Sequence, residues 1–482
     1  MDKLSFEVVS LILDELQGPD GKSKLAPYST ISRQWQAAVE RRTFASLTVE
    51  DLGQFQAVIS SSPFRLPALR DLRFNVGLPT DSESRASYHR TQSAVLSTIT
   101  SLLNQLRTWE KKTKDKTRFT DDSLGPISLR LQLQPRAGPD RISRSMTAVL
   151  ERQLEFQQKD LDALAKLHCV SRLKVSSDGN QYLHPFTSCQ LATRFSALQS
   201  LYLVYMDMES KQSPLRKTIR SSLADGINSL GQLPHLTKLT ILRGNGEPPS
   251  NHSYENLCLE VEDQKGITVD LLCEAIRKLA QKGCLVELGL IDELISPDLF
   301  RDRRQRSAMN HDDARERQEE WPSLQRLEIL ASMVAPSGMW YYTGNKDDVE
   351  PNIYGFNGWN DHDPLHEWRT SPSSEGFDPL AIDLAAEVRR MPRLRSCCFR
   401  ISLEADHVDH IIELECVEAG EKFEVAYASQ ENNEYMPVRR WRVTNTNTNW
   451  KVPNEFNAIC ADWVGPDGEV EVWYDGHRLE SP

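Results

Sequence analysis

Two groups of histidines have spacings that could bring metal ligands together. His362 and His366 are four residues apart, but Pro364 lies between them and disfavours the regular helix that would align their rings. The second group combines histidines with aspartates: Asp406, His407, Asp409 and His410. A three-residue spacing without a third ligand at a recognisable distance is typical of a solvated polar pair. The sequence therefore predicts no metal site.

Catalytic signatures are not found elsewhere in the sequence. It contains no GxxxxGK[ST], GxGxxG or GxSxG motif. The nine cysteines form no CxxC pattern, and Cys397-Cys398 is the closest pair, so no disulfide framework is expected. The glutamates at positions 413, 415, 418 and 421 are most simply explained as the solvated face of a sheet. We therefore predict a protein that is not an enzyme, with no catalytic residue and no cofactor.

The remaining expectation is that the chain binds another protein. The clearest sequence elements for such binding lie in the first forty residues. Two short amphipathic segments are separated by the turn Gly18-Pro19-Asp20-Gly21. The apolar positions of the first segment are Leu4, Val8, Leu11, Ile12 and Leu16, and those of the second are Ile31, Trp35 and Val39. Two helices this short cannot bury both of their apolar faces alone, so they need the rest of the chain or another protein.

This segment resembles the F-box, a module that binds an adaptor protein. The matching positions are Leu4, Glu7, Ile12, Leu13, Leu16, Leu25, Ile31, Arg33 and Trp35. Ser5 stands where the family has Pro, and Ser32 where it has Cys. The run from Leu25-Ala26-Pro27-Tyr28 to Arg33-Gln34-Trp35 is similar to the F-box-like proteins of filamentous fungi. Residues 1–45 are therefore expected to form an F-box-like helical motif.

The resemblance implies a partner and a set of contact residues. F-box helices dock on the Skp-family adaptor of a cullin-RING ubiquitin ligase. The corresponding apolar set, divided between the docking surface and internal packing, is Leu4, Phe6, Ile12, Leu16, Leu25, Ile31 and Trp35. The alternative is an ordinary helical hairpin that packs on its own chain.

A short Leu-x-x-Leu-x-apolar pattern recurs along the body of the chain. It starts at positions 69, 170, 198, 236, 285 and 324, with a degraded copy at 394 and a further candidate strand at 127–131. Amphipathic helices are expected around residues 219–230, 272–279, 384–391, 95–106 and 145–167. Alternating helices and short strands predict an α/β fold, and residues 46–400 are interpreted as an irregular leucine-rich-repeat solenoid. An unrelated α/β domain is the alternative.

Residues 336–377 differ from the rest of the body because they contain many aromatic residues and show no periodicity. Long ordered loops often bind partners, and Trp and Tyr dominate binding hot spots. The target-binding candidates here are Trp340, Tyr341, Tyr342, Trp359 and Trp368. Equally, the rings could plug the array against the C-terminal segment.

Residues 401–482 are expected to form a separate acidic, β-rich cap. They contain 17 acidic and 6 basic side chains, a balance of −11 out of the total net charge of −12. This acidity argues against nucleic acid as the main partner, since phosphate binding requires a basic surface. The alternation of apolar and polar residues favours antiparallel strands covering the open end of the array.

These observations lead to one functional hypothesis and one alternative. With no transmembrane or secretory segment expected and no disulfide framework, the protein should be cytoplasmic or nuclear, without a membrane partner. The resemblance implies the substrate-recognition subunit of an SCF-type E3 ubiquitin ligase that holds an unknown target protein. The alternative is a non-catalytic interaction scaffold in which the N-terminal helices cap the solenoid. An unrecognised enzyme ranks below both.

Overall fold

The computed structural model describes residues 4–17, 25–62, 65–78, 85–114, 126–135, 153–177, 182–207, 213–244, 256–260, 268–301, 321–345, 369–405, 408–423 and 435–478. Within these residues the protein is mixed α/β, with 11 α-helices and a large, mostly parallel sheet. None of the helices that can be described is long and apolar enough to cross a membrane. The chain forms two compact units. The first comprises Met1–Arg144, Arg152–Leu201 and Leu233–His235, and the second Ser145–Glu151, Tyr202–Gln232 and Leu236–Pro482.

The first unit begins with helices and continues with alternating strands and helices. Its helices are α1 (Phe6–Gln17), α2 (Arg33–Thr43), α3 (Leu52–Ser60), α4 (Arg65–Ala68), α5 (Arg85–Lys114), α6 (Gln158–Ala163) and α7 (Pro185–Ala192). Its strands are β1 (Ser46–Val49), β2 (Asp71–Leu78), β3 (Ile127–Pro135) and β4 (Val170–Ser177), followed by β5 (Ser200–Met206), where the chain passes into the second unit. Strands β1 to β4 pair in that order, all parallel.

Alternation along these strands separates a buried side from a polar side. Leu72 and Phe74 of β2 are fully buried, whereas Arg73 between them is exposed. Helix α5 packs through its Val95-to-Leu106 stripe, which recurs at helical spacing and is buried as the sequence predicts. Each fully buried Leu contributes about 1.5–3 kcal/mol relative to exposure, so the repeated apolar positions supply the core of this unit.

The second unit contains the longer series of strands. Its helices are α8 (Ser213–Leu230), α9 (Leu271–Gln281), α10 (Phe377–Val388) and α11 (Asn454–Val464). Its strands are β6 (Lys238–Gly244), β7 (Leu259–Glu260), β8 (Thr268–Val269), β9 (Glu287–Glu293), β10 (Arg326–Ala331), β11 (Tyr342–Thr343), β12 (Ser371–Pro372), β13 (Ser396–Ala405), β14 (Val408–Val417), β15 (Arg440–Thr446), β16 (Glu469–Tyr474) and β17 (His477–Arg478).

Strand β13 is the point at which the direction of pairing changes. Strands β6, β9, β10 and β13 are successive parallel neighbours. On its other edge β13 pairs antiparallel with β14, and β14 pairs antiparallel with β15. Strand β16 is again parallel to β15, and helix α11 lies between them in the sequence. The expected boundary between residues 400 and 401 therefore falls inside a strand.

The recurring Leu-x-x-Leu-x-apolar pattern does mark strands. In every copy, the second Leu or Cys and the following apolar residue lie in the same strand. The strands are, in sequence order, β2, β4, β5, β6, β9, β10 and β13. The candidate at 127–131 lies in β3. The helices expected near residues 95–106, 219–230 and 272–279 are also present, and the one expected over 384–391 is present as α10 but ends at Val388. These elements follow from apolar periodicity, which tertiary packing reinforces in each case.

Two expectations about local structure are wrong. Residues 145–152 lie outside the described part, and over 153–167 the expected helix is present only as α6, because Leu154 pairs in a β-bridge with Leu183 and Leu164 leaves the helix with extended backbone. The C-terminal region is not purely antiparallel either. Helix α11 buries Phe456, Cys460 and Trp463 and makes the β15-to-β16 connection parallel.

Candidate docking surfaces

The N-terminal helices form a small apolar core of their own. Its buried members are Val9, Leu13, Leu25, Trp35, Ala38 and Val39, with Phe6, Ile12 and Tyr28 packed against them. Ser5 accepts a hydrogen bond from the Val8 amide, and Ser32 accepts one from the Trp35 amide, both at 3.4 Å. Ser5 and Ser32 therefore cap helices α1 and α2.

Polar contacts hold α1 against α2. Arg42 donates to the Ser10 carbonyl at 2.6 Å and forms an ion pair with Asp14 at 2.7 Å. The Gln34 amide donates to the Leu4 carbonyl at 2.6 Å, and the Arg41 guanidinium lies 4.7 Å from the centre of the Phe6 ring. These contacts fix how α1 is oriented on α2, and hence which side of α1 faces outward.

Helix α1 carries a second apolar surface that this core does not cover. On α1 the exposed fractions are 40% for Val8, 64% for Leu11 and 38% for Leu16. Leu4, just before α1, is 38% exposed, and Ile31, just before α2, is 41% exposed. At 100° per residue, Val8 and Leu11 are about 60° apart around the helix and about 140–160° from the buried Leu13. Of the eight large apolar side chains exposed in the described residues, five lie in this segment. We call these five residues the N-terminal apolar surface.

The predicted adaptor-binding set is thereby divided and partly corrected. Leu4, Leu16 and Ile31 belong to the N-terminal apolar surface, and Phe6 and Ile12 are half-buried. Leu25 and Trp35 are 7% and 6% exposed, so they pack internally and are not docking contacts. Val8 and Leu11 were not in the predicted set, although their spacing from Leu4, at i+4 and i+7, places all three on one helical stripe.

Helix α2 is also tied to the elements that follow it. The buried Glu40 carboxylate accepts a hydrogen bond from Ser62 and pairs with Arg65 of α4 at 3.4 Å. The Arg65 guanidinium also lies 4.1 Å from the centre of the Phe44 ring. Removing the whole segment up to residue 42 would therefore also disrupt α3 and α4.

The structure corrects two of the five aromatic target-binding candidates. Tyr341 and Tyr342 are fully buried, and their hydroxyls donate to the Ile295 and Ile401 carbonyls. The Tyr341 ring packs against Phe377, whose ring centre lies 5.0 Å from that of Trp450. These rings are inaccessible to a target protein, and they fill the core between the strands and the C-terminal segment.

The other aromatic candidates have different outcomes. Trp340 is half-buried, and the Arg369 guanidinium lies 4.2 Å from the centre of its ring. Burial lowers the pKa of Arg369. Trp359 and Trp368 lie outside the described residues. Trp340 therefore remains a prediction for target contact.

A groove of about 100 Å³ lies on the polar side of strands β6, β9, β10, β13 and β14. Its charged and polar lining includes Lys238, Glu287, Arg326, Glu328, Ser396, Cys398 and Glu415. The sequence contains a signal for this surface, because all of these side chains except Glu415 lie next to the second Leu of a pattern copy or next to Cys397 of the degraded copy.

The floor of this groove is poorly suited to metal binding or nucleophilic chemistry. Cys398, Glu413 and Glu415 have ligand atoms within 4.8 Å of one another. However, Arg400 already pairs with Glu413 at 2.6 Å, and the Cys398 thiol donates to the same carboxylate. Burial, followed by the charges of Glu413 and Glu415, holds the pKa of the Cys398 thiol well above its usual value. A thiol kept protonated is a weak nucleophile and a weak ligand.

The histidine group expected near residue 407 is only partly described. His410 contacts the Asn447 carbonyl at 2.6 Å through Nδ1. Asp406 and His407 lie outside the described residues, as do His362 and His366. The His410 ring is therefore in contact with the backbone just after the end of β15.

A buried charge network lies in the second unit, at the carboxyl ends of β5 and β9. Arg220 of α8 binds both oxygens of Asp270 at 2.7 and 2.8 Å, Glu293 at 2.8 Å and the Leu294 carbonyl at 2.7 Å. Tyr205 donates to the other oxygen of Glu293 at 2.7 Å. Arg220, Asp270 and Glu293 are 5%, 1% and 0% exposed. We call these residues the Arg220 network.

A second buried pair adjoins the Arg220 network. Arg216 binds Asp207 with two hydrogen bonds of 2.8 and 3.0 Å, and Arg243 lies 3.6 Å from the same carboxylate. Burial alone would raise the pKa values of Asp207 and Asp270, but the arginines outweigh it and both pKa values lie below their usual value. These carboxylates therefore act as structural ion-pair partners of the arginines, and their burial leaves no access for a ligand.

The fold and these surfaces define a mixed α/β protein with a mostly parallel sheet and an exposed apolar surface at its N-terminus. No protein-family model matches the sequence, and no curated protein matches it either.

Proposed function

We propose that this chain is the substrate-recognition subunit of an SCF-type E3 ubiquitin ligase and acts in the cytoplasm or nucleus. The N-terminal apolar surface docks on a Skp-family adaptor, and the strand array, an irregular leucine-rich-repeat solenoid, binds a target protein. The ligase complex then raises the effective concentration of a ubiquitin-conjugating enzyme at the target. The proposal is consistent with a chain that needs no catalytic residue of its own.

The observation that carries the proposal is the second apolar surface of α1. A helix that only covered its own chain would place its apolar residues inward and polar residues outward. Helix α1 has Val9 and Leu13 fully buried and Leu11 64% exposed. Clustered exposed apolar side chains mark a protein-binding site more often than scattered ones do.

The test uses substitutions rather than a deletion, because Glu40 links α2 to the rest of the first unit. The double variant Val8→Lys/Leu11→Lys places charge on the exposed stripe without touching the buried core. Leu259→Lys is the matched control, since Leu259 is also an exposed leucine, at 40%. We expect the full-length chain and the control to retain a purified Skp-family adaptor in pull-downs, and the double variant to bind at least about tenfold more weakly.

Two results would contradict this function. One is a full-length chain that does not bind any Skp-family adaptor, and the other is a double variant that binds it as well as the unchanged chain does. Thermal melting of both variants should match the unchanged chain, because the substituted side chains are exposed.

The alternative function is a stand-alone interaction scaffold with the N-terminal helices as a cap. The Glu40–Ser62–Arg65 contacts favour it, because they show α2 serving as a packing element for α3 and α4. Under this function the double variant would change neither folding nor any binding partner. The adaptor pull-down therefore separates the two functions.

A further inference from the structure

Strands β2, β3 and β4 of the first unit present an open face of unusual charge. Their buried apolar side chains all lie on one side, and from Asp71, Ser128 and Arg172 onward every residue on the other side is polar, charged or glycine. Arg73, Arg130 and Arg172 are exposed, so nothing in the described part of the chain covers the face at these positions.

The cations of this face stand side by side. Strand register places Arg73 opposite Arg130, and Arg130 opposite Lys174. Neighbouring strands are about 4.8 Å apart, so the backbones of these three cationic residues lie within about 10 Å of one another. Arg172 lies two residues before Lys174 on the same side, and Asp71 is the acid of this patch. We call these five residues the basic strand face.

The arginines of the basic strand face are not fully neutralised internally. Arg130 pairs with Asp71 at 3.3 Å, but its side chain remains 45% exposed. Among the described residues, Arg73 and Arg172 have no ion-pair partner. Adjacent like charges repel one another, so the arrangement leaves a net positive potential that an anionic partner would relieve.

The second unit shows that the fold does not require adjacent cations, because the row equivalent to Arg73, Arg130 and Lys174 consists of Thr240, Gly289 and Glu328. The row two residues earlier aligns Lys238, Glu287 and Arg326 on successive strands, so the signs alternate. Lys238 and Glu287 form an ion pair, whose distance is 2.5 Å. A solvated strand face can thus neutralise itself, and that of β2, β3 and β4 does not.

A buried amide next to the cations identifies the type of anionic partner. Asn75 lies two residues beyond Arg73 on the same side of β2, about 7 Å away along the strand. It is 7% exposed, and its Oδ1 atom has no hydrogen-bond partner. A buried acceptor without a hydrogen bond is energetically costly, so a ligand that supplies a donor is favoured there. A peptide backbone supplies N–H donors beside its acidic side chains.

We propose that the basic strand face binds an extended, anionic peptide segment of a partner protein. Acidic side chains of the segment pair with Arg73, Arg130, Lys174 and Arg172, and a backbone amide donates to Asn75. The proposal rests on the proposed function only in calling that partner a ligase target, because peptide binding itself needs no adaptor.

Charge favours a peptide over a nucleic acid. The chain carries a net charge of −12, and the patch has four cations. Nucleic-acid binding depends on neutralising many phosphates, with affinity that falls steeply with salt. A short acidic peptide needs only the few contacts that this face provides.

The experiment measures fluorescence anisotropy with the full chain and a labelled peptide of alternating Glu and Ala. Peptides of the same length with Gln or Lys in place of Glu are the composition controls, a phosphoserine peptide distinguishes phosphate from carboxylate, and polyuridine RNA is the competing class. The variants are Arg73→Gln/Arg130→Gln, Asp71→Asn, and the matched control Lys238→Gln/Arg326→Gln, which removes two cations from the polar strand side of the second unit.

We expect saturable binding of the Glu or phosphoserine peptide and none of the Lys peptide. Arg73→Gln/Arg130→Gln should weaken it by about tenfold or more, and the control variant should leave it unchanged. Asp71→Asn should tighten it, because Arg130 loses its internal partner; a misfolded variant would not bind more tightly. The proposal is overturned if no anionic peptide binds, if Arg73→Gln/Arg130→Gln binds it normally, or if polyuridine binds more tightly than any peptide.

The two functional proposals fail separately. Val8→Lys/Leu11→Lys should still bind the Glu peptide, and Arg73→Gln/Arg130→Gln should still be retained by the adaptor. Loss of peptide binding with intact adaptor capture would refute only the peptide site, and the converse result would refute only the ligase assignment.

Discussion

The two units use arginine in opposite ways. In the first, Arg73 and Arg172 are exposed on a strand face without an ion pair among the described residues. In the second, Arg220 is buried between Asp270 and Glu293 with every donor nitrogen engaged. The same side chain therefore offers recognition chemistry at one place and specifies internal packing at the other. What decides between these roles is the presence of buried carboxylates around it.

Substitution of the buried Arg220 should cost the most stability. Arg220→Met would leave Asp270 and Glu293 buried without their cation, and the expected loss is about 3–5 kcal/mol in the free energy of unfolding. Urea unfolding followed by tryptophan fluorescence would measure it. Arg326→Met, which changes an exposed arginine of the same unit, is the control. A loss no larger than that of the control would mean that the buried network adds nothing to stability.

The pH dependence of the second unit should follow the carboxylates of this network. The pKa values of Asp207 and Asp270 lie below the ordinary value of 3.8, so below that pH the unfolded chain binds more protons than the folded one. Their contribution is complete above pH 3.8 and is lost as the pH falls towards the folded-state values. Acid titration of the far-ultraviolet circular dichroism of the unchanged chain and of Asp207→Asn would show it. The variant should be less stable at neutral pH and less sensitive below pH 3.8; equal sensitivity would refute the assignment.

The first unit should respond to acid at a higher pH. Burial lowers the pKa of His184 below 6.5, against a smaller opposing effect of the Glu155 charge. The unfolded chain therefore takes up a proton first as the pH falls through 6.5, and stability decreases from there down to the folded-state pKa. His184→Gln should flatten the change in urea midpoint between neutral pH and about pH 5.5, whereas His168→Gln, at an exposed histidine, should not. If both variants behave alike, His184 is not the cause.

Substitution of the exposed Arg73 should cost the least stability. Arg73→Ala should change the free energy of unfolding by no more than about 0.5 kcal/mol, because the side chain is exposed and has no ion pair in the described structure. The urea midpoint measures this directly, with Arg220→Met as the reference for a buried arginine. A loss above 2 kcal/mol, as for a core residue, would show that Arg73 is structural and would remove the contrast between the units.

Apolar periodicity predicted most strands and helices, but it could not predict the role of a charge. The Leu72/Phe74 and Leu288/Leu290 pairs identify strands because burial alternates locally. The partners of Arg220 lie 50 and 73 residues away, at Asp270 and Glu293, and no local pattern connects them. Long-range pairing of this kind becomes visible only once the sheet brings strand ends together.

The N-terminal motif shows a similar limit. Spacing identified the apolar residues of α1, yet Leu11 and Leu13 are equally apolar in sequence and differ completely in exposure, at 64% and 0%. Their division depends on how α1 rests on α2, which polar contacts such as Arg42 with Ser10 determine. Helix α11 was missed for another reason: Phe456, Cys460 and Trp463 do have helical spacing, but the strand-forming segments around them dominated the interpretation.

The reversal of pairing at β13 has a consequence for folding order. Hairpin neighbours such as β13 and β14 join residues that are close in sequence, whereas each parallel pair upstream must first close a long crossover. Local contacts form faster than distant ones. We therefore expect the C-terminal strands to assemble early and to template β10 and then β9, so that structure spreads from the end of the chain made last. During synthesis on the ribosome, β9 and β10 are made before β13 and β14. Until those later strands are made, the earlier ones would stay unassembled and accessible to chaperones.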